Sequence, residues 1–446
     1  FQSIIIYTRN HSIVEMSASK LICSCYDAGH PWTTSCADSA VGVGAIAFKQ
    51  SLRIYTSVYL LSYVARGKKP VPADIKKLLR GILQSSAFLG FNGFGFIGSF
   101  CAVRYFSGGF TKFNAGFLPA FIGSFLAILI ERPSRRGQLA LYVTNVASES
   151  VWRMLVARGI VKSVRHGEVL VFMLTLAALV PWYRRCTSSR DSVYSLSRFI
   201  IGGSERFSAP IYPDHGNRRC TKHALCKHKN SCIYYMLEGF VKKFIAGYGI
   251  HAGFRFILSF ANLLRNPRLI TKIVSNMDNV KFGLFVGGIS GIVRSVLCNL
   301  RWITGKDRPE HGVIAGFLGG LPMLFYKSTT LASYLMWKTI EVVYREGIQA
   351  GKLPAIPGFI EFLYSFSTAM LFHMAVFEPH NLKPSYWKFL VNLTDLRFAQ
   401  MNRQVLDLIL PKASSSVPFW PKYEADHVSQ ELRSMFGLNP HFSMTS

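Results

Sequence analysis

The sequence predicts an all-α, polytopic helical membrane protein of two similar halves, each with four to five spans packed along glycine ridges. Three observations predict it. Half of the 446 residues are hydrophobic while 17% are charged, against about 25% charged in a soluble domain. Apolar runs long enough to cross a bilayer recur along the chain. The second half repeats residues of the first at a fixed offset. Lys and Arg number 51 against 23 Asp and Glu, a net charge of +28. Nucleic-acid binders are basic but not this apolar, so no nucleic-acid partner is expected. An aromatic content of 14% excludes a disordered chain.

The organisation follows from the apolar runs. Residues 1–15 precede the first methionine, Met16, and read as either translated upstream sequence or a fragment artefact. A Cys/His-rich N-terminal segment covers 16–40. The first bundle, 41–183, holds runs at 41–64, 82–103, 115–131, 138–158 and 167–183. A basic linker with a second Cys/His cluster covers 184–232. The second bundle, 233–378, holds runs at 233–262, 280–298, 311–327, 329–346 and 357–378, and a polar C-terminal tail covers 379–446. Lys49 and Arg53 interrupt the run at 41–64, and Glu238, Lys242, Lys243 and Arg255 that at 233–262. These two therefore also fit helices lying in the membrane interface.

The repeat is read without gaps. At an offset of 192, Leu139, Ala140, Tyr142, Glu149, Val151, Arg153 and Gly159 fall on Leu331, Ala332, Tyr334, Glu341, Val343, Arg345 and Gly351. At 196, Phe121 and Gly123 fall on Phe317 and Gly319. Recurring Glu and Arg are harder to match by chance than recurring apolar residues, and internal duplication is common in transporter-like folds. Glycines four apart share one helix face. Gly283, Gly287 and Gly291 form one ridge, Gly312, Gly316 and Gly320 another, and Gly116, Ala120 and Ser124 a third. Such ridges let helices pack closely in lipid. Gly93, Gly95 and Gly98 match a dinucleotide fingerprint in letters only, because they lie inside an apolar run rather than at a strand-to-helix turn.

Two pairs of charges lie inside predicted spans. Glu149 with Arg153, and Glu341 with Arg345, are each four residues apart and so on one helix face. They mark either self-neutralised helix ends or a polar transport path. The cysteines and histidines form two clusters. CSCYDAGHPWTTSC supplies Cys25, His30 and Cys36, while CTKHALCKHKNSC supplies Cys220, His223, Cys226, His228 and Cys232. Thiolates and imidazoles suit a structural zinc ion. The expected ligands are Cys25, His30, Cys36, Cys226, His228 and Cys232, with a disulfide staple or unconnected thiols as alternatives. One site made by both clusters would need them on the same membrane face, hence four spans in the first half. Cys101 and Cys298 are assigned to spans.

The expected partners are the lipid bilayer, anionic lipids at basic loops such as Arg66–Arg80 and Arg132–Arg136, and a second copy of the chain. There is no phosphate-binding loop, HExxH helix or GxSxG elbow, so no enzymatic activity is expected.

Long segments carry a family resemblance. CYDAGHPWTTSC, SLRIYTSVYLL, ILIERPSRRGQLALYVTNVASE, WRMLVARG and RHGEVLVF in the first half, with LRWITGKDRPEHGVIAGFLGG, MLFYKSTT, LKPSYWKFL and MNRQVLD in the second, resemble the transmembrane protein 135 family, also called peroxisomal membrane protein 52. The likeness runs from about Met16 to Asp407. GKDRPEHGVIAGFLGG is also distantly similar to the loop and glycine-rich span of the inner mitochondrial membrane translocase family. The resemblance implies a multi-pass protein of peroxisomal and mitochondrial membranes. It further implies roles in peroxisome and mitochondrion organisation, regulation of mitochondrial fission and fatty-acid homeostasis, and contact with the peroxisomal membrane import machinery. A transporter or channel for a lipid, acyl derivative or metabolite is the alternative. No catalytic residue carries over.

Overall fold

The computed structural model describes residues 20–65, 71–186, 191–210, 222–411, 413–417, 420–421 and 423–436. Residues 1–15, the basic Arg66, Lys68 and Lys69, Cys220 and the end of the tail lie outside them. The described residues are helical apart from turns and one isolated bridge between Leu21 and Phe110.

In chain order the helices are α1 (Cys25–Ala28), α2 (Cys36–Ala65), α3 (Pro72–Ser107), α4 (Leu118–Ile130, entered through a π-turn at Phe113–Phe117), α5 (Pro133–Ala157), α6 (Gly167–Arg185) and α7 (Ser192–Ile200). Next come α8 (Cys232–Leu258), α9 (Phe260–Arg265), α10 (Leu269–Val274), α11 (Met277–Thr304), α12 (Pro309–Gly319) and α13 (Thr329–Gln349). The last are α14 (Phe359–Phe377), α15 (Pro384–Leu393), α16 (Arg403–Leu406) and α17 (Gln430–Phe436). Among the described residues, five helical stretches are long and apolar enough to cross a membrane: 72–107, 113–130, 167–185, 269–304 and 359–377. That is fewer than the eight to ten spans expected. Charges interrupt α2, α5, α8 and α13, and α12 ends at Gly319, short of a membrane thickness.

The two sets of helices repeat in local detail. Gly159 and Gly351, 192 apart, both take positive φ (72° and 69°) after α5 and α13. The amides of Ile160 and Lys352 then bond back to the carbonyls of Leu155 and Gly347, at 3.0 and 2.9 Å. Each is the six-residue closure that satisfies orphan carbonyls at a helix end. Gly108 and Gly305 cap α3 and α11 in the same left-handed conformation. α6 and α14 each have 19 residues and start after a left-handed residue, His166 and Gly358.

The chain forms two compact units, residues 1–161 with 356–446, and residues 162–355. This partition differs from the sequence-derived bundles 41–183 and 233–378. α6 follows α5 in sequence but packs with α12 and α13, whereas α14 follows α13 but packs with α4 and α5. The fifth helix of each half thus completes the other half's unit. The tail also differs from its reading as merely polar. Leu382, Leu390, Met401, Val405, Leu406, Ile409 and Leu432 are buried in the first core with Phe88, Phe96, Phe100 and Phe377. The second core is built on Phe172, Val180, Tyr183, Phe285, Val293, Leu297 and Met323.

The glycine ridges lie at helix crossings inside these units. In the first unit, α2 and α3 run antiparallel, with Gly44 against Phe94 and Gly90 against Phe48. Gly95 and Gly123 meet backbone to backbone at the α3–α4 crossing, which gives the apparent nucleotide motif a packing role. In the second unit, Gly283, Gly287 and Gly291 face Phe240 and Phe244 of α8. There too Gly312, Gly316 and Gly320 face Pro181, Leu176 and Met173 of α6. A β-carbon on Gly316 would collide with the Leu176 carbonyl, whereas Gly253 has nothing within 4 Å of that position. Gly316→Leu is expected to destabilise the protein by roughly 1–3 kcal/mol or more through overpacking. Gly253→Ala should melt like the parent. Thermal unfolding in detergent checks both, and equal melting of Gly316→Leu and the parent would contradict this packing.

Candidate metal centres

Each unit contains one Cys/His tetrad. In the first, Cys25, His30, Cys36 and Cys101 converge. In the second, Cys226, His228, Cys232 and Cys298 converge. Within each tetrad the four ligand atoms lie within 4.8 Å of one another. The two clusters therefore close two sites rather than one, and each takes its fourth member from an apolar helix. Cys101 and Cys298, read from sequence as span residues, are those fourth members. Cys220 lies outside the described residues, and His223 is placed against the Trp302 ring.

Local sequence sets each ligand. Ser24 caps α1 by accepting from the Asp27 amide, and the Asp27 carboxylate accepts from the Ser24 amide. This capping box fixes Cys25 in the first helical position. The His30 amide bonds back to the Cys25 carbonyl at 3.0 Å, which holds the two ligands together. The Ser35 hydroxyl then accepts from the Asp38 amide, so α2 begins at Cys36. The second unit repeats this pairing: Ser231 caps α8, which begins at Cys232. A cysteine in the first turn of a helix is favoured as thiolate by the helix dipole. The fourth ligands share a longer pattern, Cys101, Arg104 and Gly108 against Cys298, Arg301 and Gly305. The offset is 197 at each position, close to the 196 between Cys36 and Cys232.

Both histidines are oriented the same way. Nδ1 of His30 donates to the Thr33 carbonyl at 2.8 Å, and Nδ1 of His228 donates to the Asn230 carbonyl at 2.7 Å. Nε2 is left facing the sulfurs: 3.4 Å from Cys101 Sγ in the first tetrad, and 3.6 Å from both Cys232 Sγ and Cys298 Sγ in the second. Metal-bound histidines characteristically donate their other ring N–H in this way. Cys226 Sγ is 3.8 Å from Cys232 Sγ and 4.0 Å from Cys298 Sγ. These separations exceed a sulfur–sulfur bond, and the eight described cysteines are free thiols. A tetrahedral ion with sulfur at about 2.3 Å and nitrogen at about 2.1 Å would set edges of about 3.8 Å between sulfurs and about 3.6 Å between sulfur and nitrogen. The residues present fit such an ion, zinc among them.

Without a metal the charges of the tetrads are unevenly placed: burial pushes the Cys36 thiol up, Cys25 is favoured as thiolate, and His228 is held as an imidazolium that must lose its proton to bind an ion. A hydrogen bond from Cys101 pulls the Cys25 thiol down to about 5 against the effect of burial, helped by His30 and by the Arg104 charge. Burial disfavours charge on His228, but hydrogen bonds with Cys226 and Cys232 outweigh it and push the imidazole up to about 9. Arg301 Nη1 lies 3.9 Å from Cys226 Sγ. Arg301 also pairs with Glu205 at 2.7 Å and Asp307 at 3.2 Å, while Arg184 pairs with Asp307 and Lys227 stands 3.9 Å from it. Three cations thus meet two carboxylates. A divalent ion with three thiolates carries one net negative charge, which the surplus cation balances. In the first unit Arg104 occupies the position equivalent to Arg301 and donates from Nε to the Cys23 carbonyl at 3.0 Å.

The charge pairs expected inside spans lie on α5 and α13, which are not among the helices apolar enough to cross a membrane, and sit apart from the tetrads. Glu149 pairs with Arg153 at 2.8 Å and with Lys383 at 3.0 Å. Glu341 does not pair with Arg345. It takes Lys338 at 2.7 Å, and Arg345 reaches Asp191 at 2.5 Å. Asp191 also caps α7 by accepting from the Val193 amide, so its carboxylate is fixed where Arg345 can reach it.

No solved structure matches this fold. Residues 23–156 match the family model described as the N-terminal cysteine-rich region of Transmembrane protein 135, a segment holding all four members of the first tetrad. Over that region the chain is similar to the transmembrane protein 135 family.

Proposed function

We propose that this protein is an internally duplicated, non-enzymatic organiser of peroxisomal and mitochondrial membranes, with one structural zinc ion closing each unit. In this reading it acts in organelle organisation, mitochondrial fission and fatty-acid homeostasis. The observation that carries the structural part is the recurrence of the tetrad. Both times a cysteine at the start of a long helix meets a cysteine near the end of its antiparallel neighbour. A closed Cys3His set with no open position is a structural rather than a catalytic zinc site. The family match supports the organelle part. Lys76, Lys77 and Arg80, in the first turns of α3 rather than in a loop, suit anionic lipid head groups, and the import machinery of the peroxisomal membrane and a second copy of the chain are the proposed protein partners.

The alternative, a transporter or channel for a lipid, acyl derivative or metabolite, draws on one observation, an apolar cavity within the first unit. The carboxylates of α5 and α13 favour the organiser instead. Glu149 is pinned by two cations and Glu341 by one, which suits anchors better than groups that bind and release cargo.

In cells lacking the protein, the wild-type chain should fractionate with peroxisomal and mitochondrial membranes and restore organelle shape and number. A chain carrying Cys101→Ser with Cys298→Ser should fail to do so. Full rescue by that variant, or a wild-type chain confined to other membranes, would contradict the proposal. In liposomes, fatty-acid flux through the purified Glu149→Gln, Glu341→Gln double variant should equal that of the wild type. A severalfold loss would return those two residues to a transport path.

A further inference from the structure

The cavity in the first unit has a volume of about 210 Å3. Its wall runs along α2 from Val43 to Tyr55, about 18 Å of helix rise. Phe88 to Ile97 of α3 and Tyr364 to Phe372 of α14 line it over comparable lengths. A lining drawn out over three helical turns of α2 is elongated, which suits a chain-like apolar ligand better than a compact one.

Its polar wall groups are largely satisfied within the protein. Asn92 donates to the Tyr364 hydroxyl at 3.0 Å, Thr368 to the Tyr364 carbonyl at 2.8 Å, and Thr394 to the Leu390 carbonyl at 2.9 Å. Arg397 differs. Its guanidinium lies 5.5 Å from the Trp32 ring centroid, and a β-carbon on Gly42 would stand 2.8 Å from its Nη1. It therefore sits where α2 begins, and no carboxylate among the described residues pairs with it. At the other end, beyond Tyr55, Arg135 is already engaged by Tyr59, Ser85 and Glu131. A half-buried guanidinium at one end of an apolar cavity, without a carboxylate partner among the described residues, offers its donors to an anion.

We propose that this cavity binds a long-chain fatty acid, its carboxylate held by Arg397 and its chain lying along α2 toward Ile54. The assignment rests on the lipid-handling part of the proposed function and adds the ligand's class and its site. A guanidinium offers a carboxylate two parallel donors, while Phe88, Phe96, Ile97 and Phe372 enclose the chain.

The test is equilibrium binding to the purified full-length chain, with radiolabelled palmitate, its uncharged analogue hexadecanol, and a single-chain lysophosphatidate as probes. Palmitate should bind saturably at one per chain. Arg397→Gln should weaken palmitate roughly tenfold or more, the loss of a charged hydrogen-bonded pair, and leave hexadecanol unchanged. Ile97→Phe, which narrows the cavity, should weaken both. Helical content and melting temperature equal to the parent's show that Arg397→Gln is folded. No saturable palmitate binding, or equal palmitate affinity in parent and Arg397→Gln, overturns the proposal. So does lysophosphatidate binding more tightly than palmitate, which would make the head group a phosphate. Organelle rescue reads the broader function independently: an Arg397→Gln chain that loses palmitate yet restores organelles would leave the site intact and detach it from the cellular role.

Discussion

The constraint on which the rest of the structure depends is the closure of a long helical hairpin at its open end. α2 and α3 meet through Gly44, Gly90 and their neighbours, and α8 and α11 through Gly247, Gly283 and Gly287. Such interfaces bring backbones close but carry few side chains that lock axial register. In the second unit α9 and α10 join the helices at one end of the pair. The Cys/His tetrad restrains the other, joining the first residue of one helix to a cysteine near the end of its partner. Residues as far apart as Cys25 and Cys101, or Cys226 and Cys298, become neighbours, and a metal ion there would fix register as well as distance.

Other features fall into place around those hairpins. Gly116 of the π-turn and Ser124 of α4 receive α14, and Gly312 and Gly316 of α12 with its capping Gly320 receive α6. Because α6 and α14 are exchanged between the halves, neither half of the sequence contains a complete unit. The first unit waits on a helix that lies about 200 residues after its neighbour α5. Contacts of such long sequence separation close late in folding. A chain cut between the halves would leave the glycine ridges of α4 and α12 without their proper partners.

Much of this was legible in the sequence, and the exceptions have physical reasons. The 192-residue offset was visible because Glu149, Arg153 and Gly159 recur in kind. The Cys/His clusters were visible because thiols and imidazoles rarely gather by chance. Cys101 and Cys298 were hidden because each stands alone in an apolar run, where a small buried thiol is the ordinary reading. Their shared signal, an arginine three residues on and a glycine seven on, emerges only when the halves are aligned at 197. The helix exchange leaves no periodic trace, since α6 and α14 have equal length and similar faces. The pairing of Arg345 with Asp191 rather than Glu341 shows a long-range partner, fixed as a helix cap, winning over the i,i+4 neighbour. The tail looked polar because its core residues come from short elements, Leu390 from α15 and Val405 from α16, with no long apolar run.

The central claim is that each unit is closed by a metal held by three sulfurs and one nitrogen. X-ray absorption at the zinc edge on the purified full-length chain, with total zinc quantified alongside, tests it most directly. About two zinc ions per chain are expected, each with three sulfurs at about 2.3 Å and one nitrogen at about 2.0–2.1 Å. A shell of light atoms alone, or zinc well below one per chain in protein purified without chelator, would contradict it.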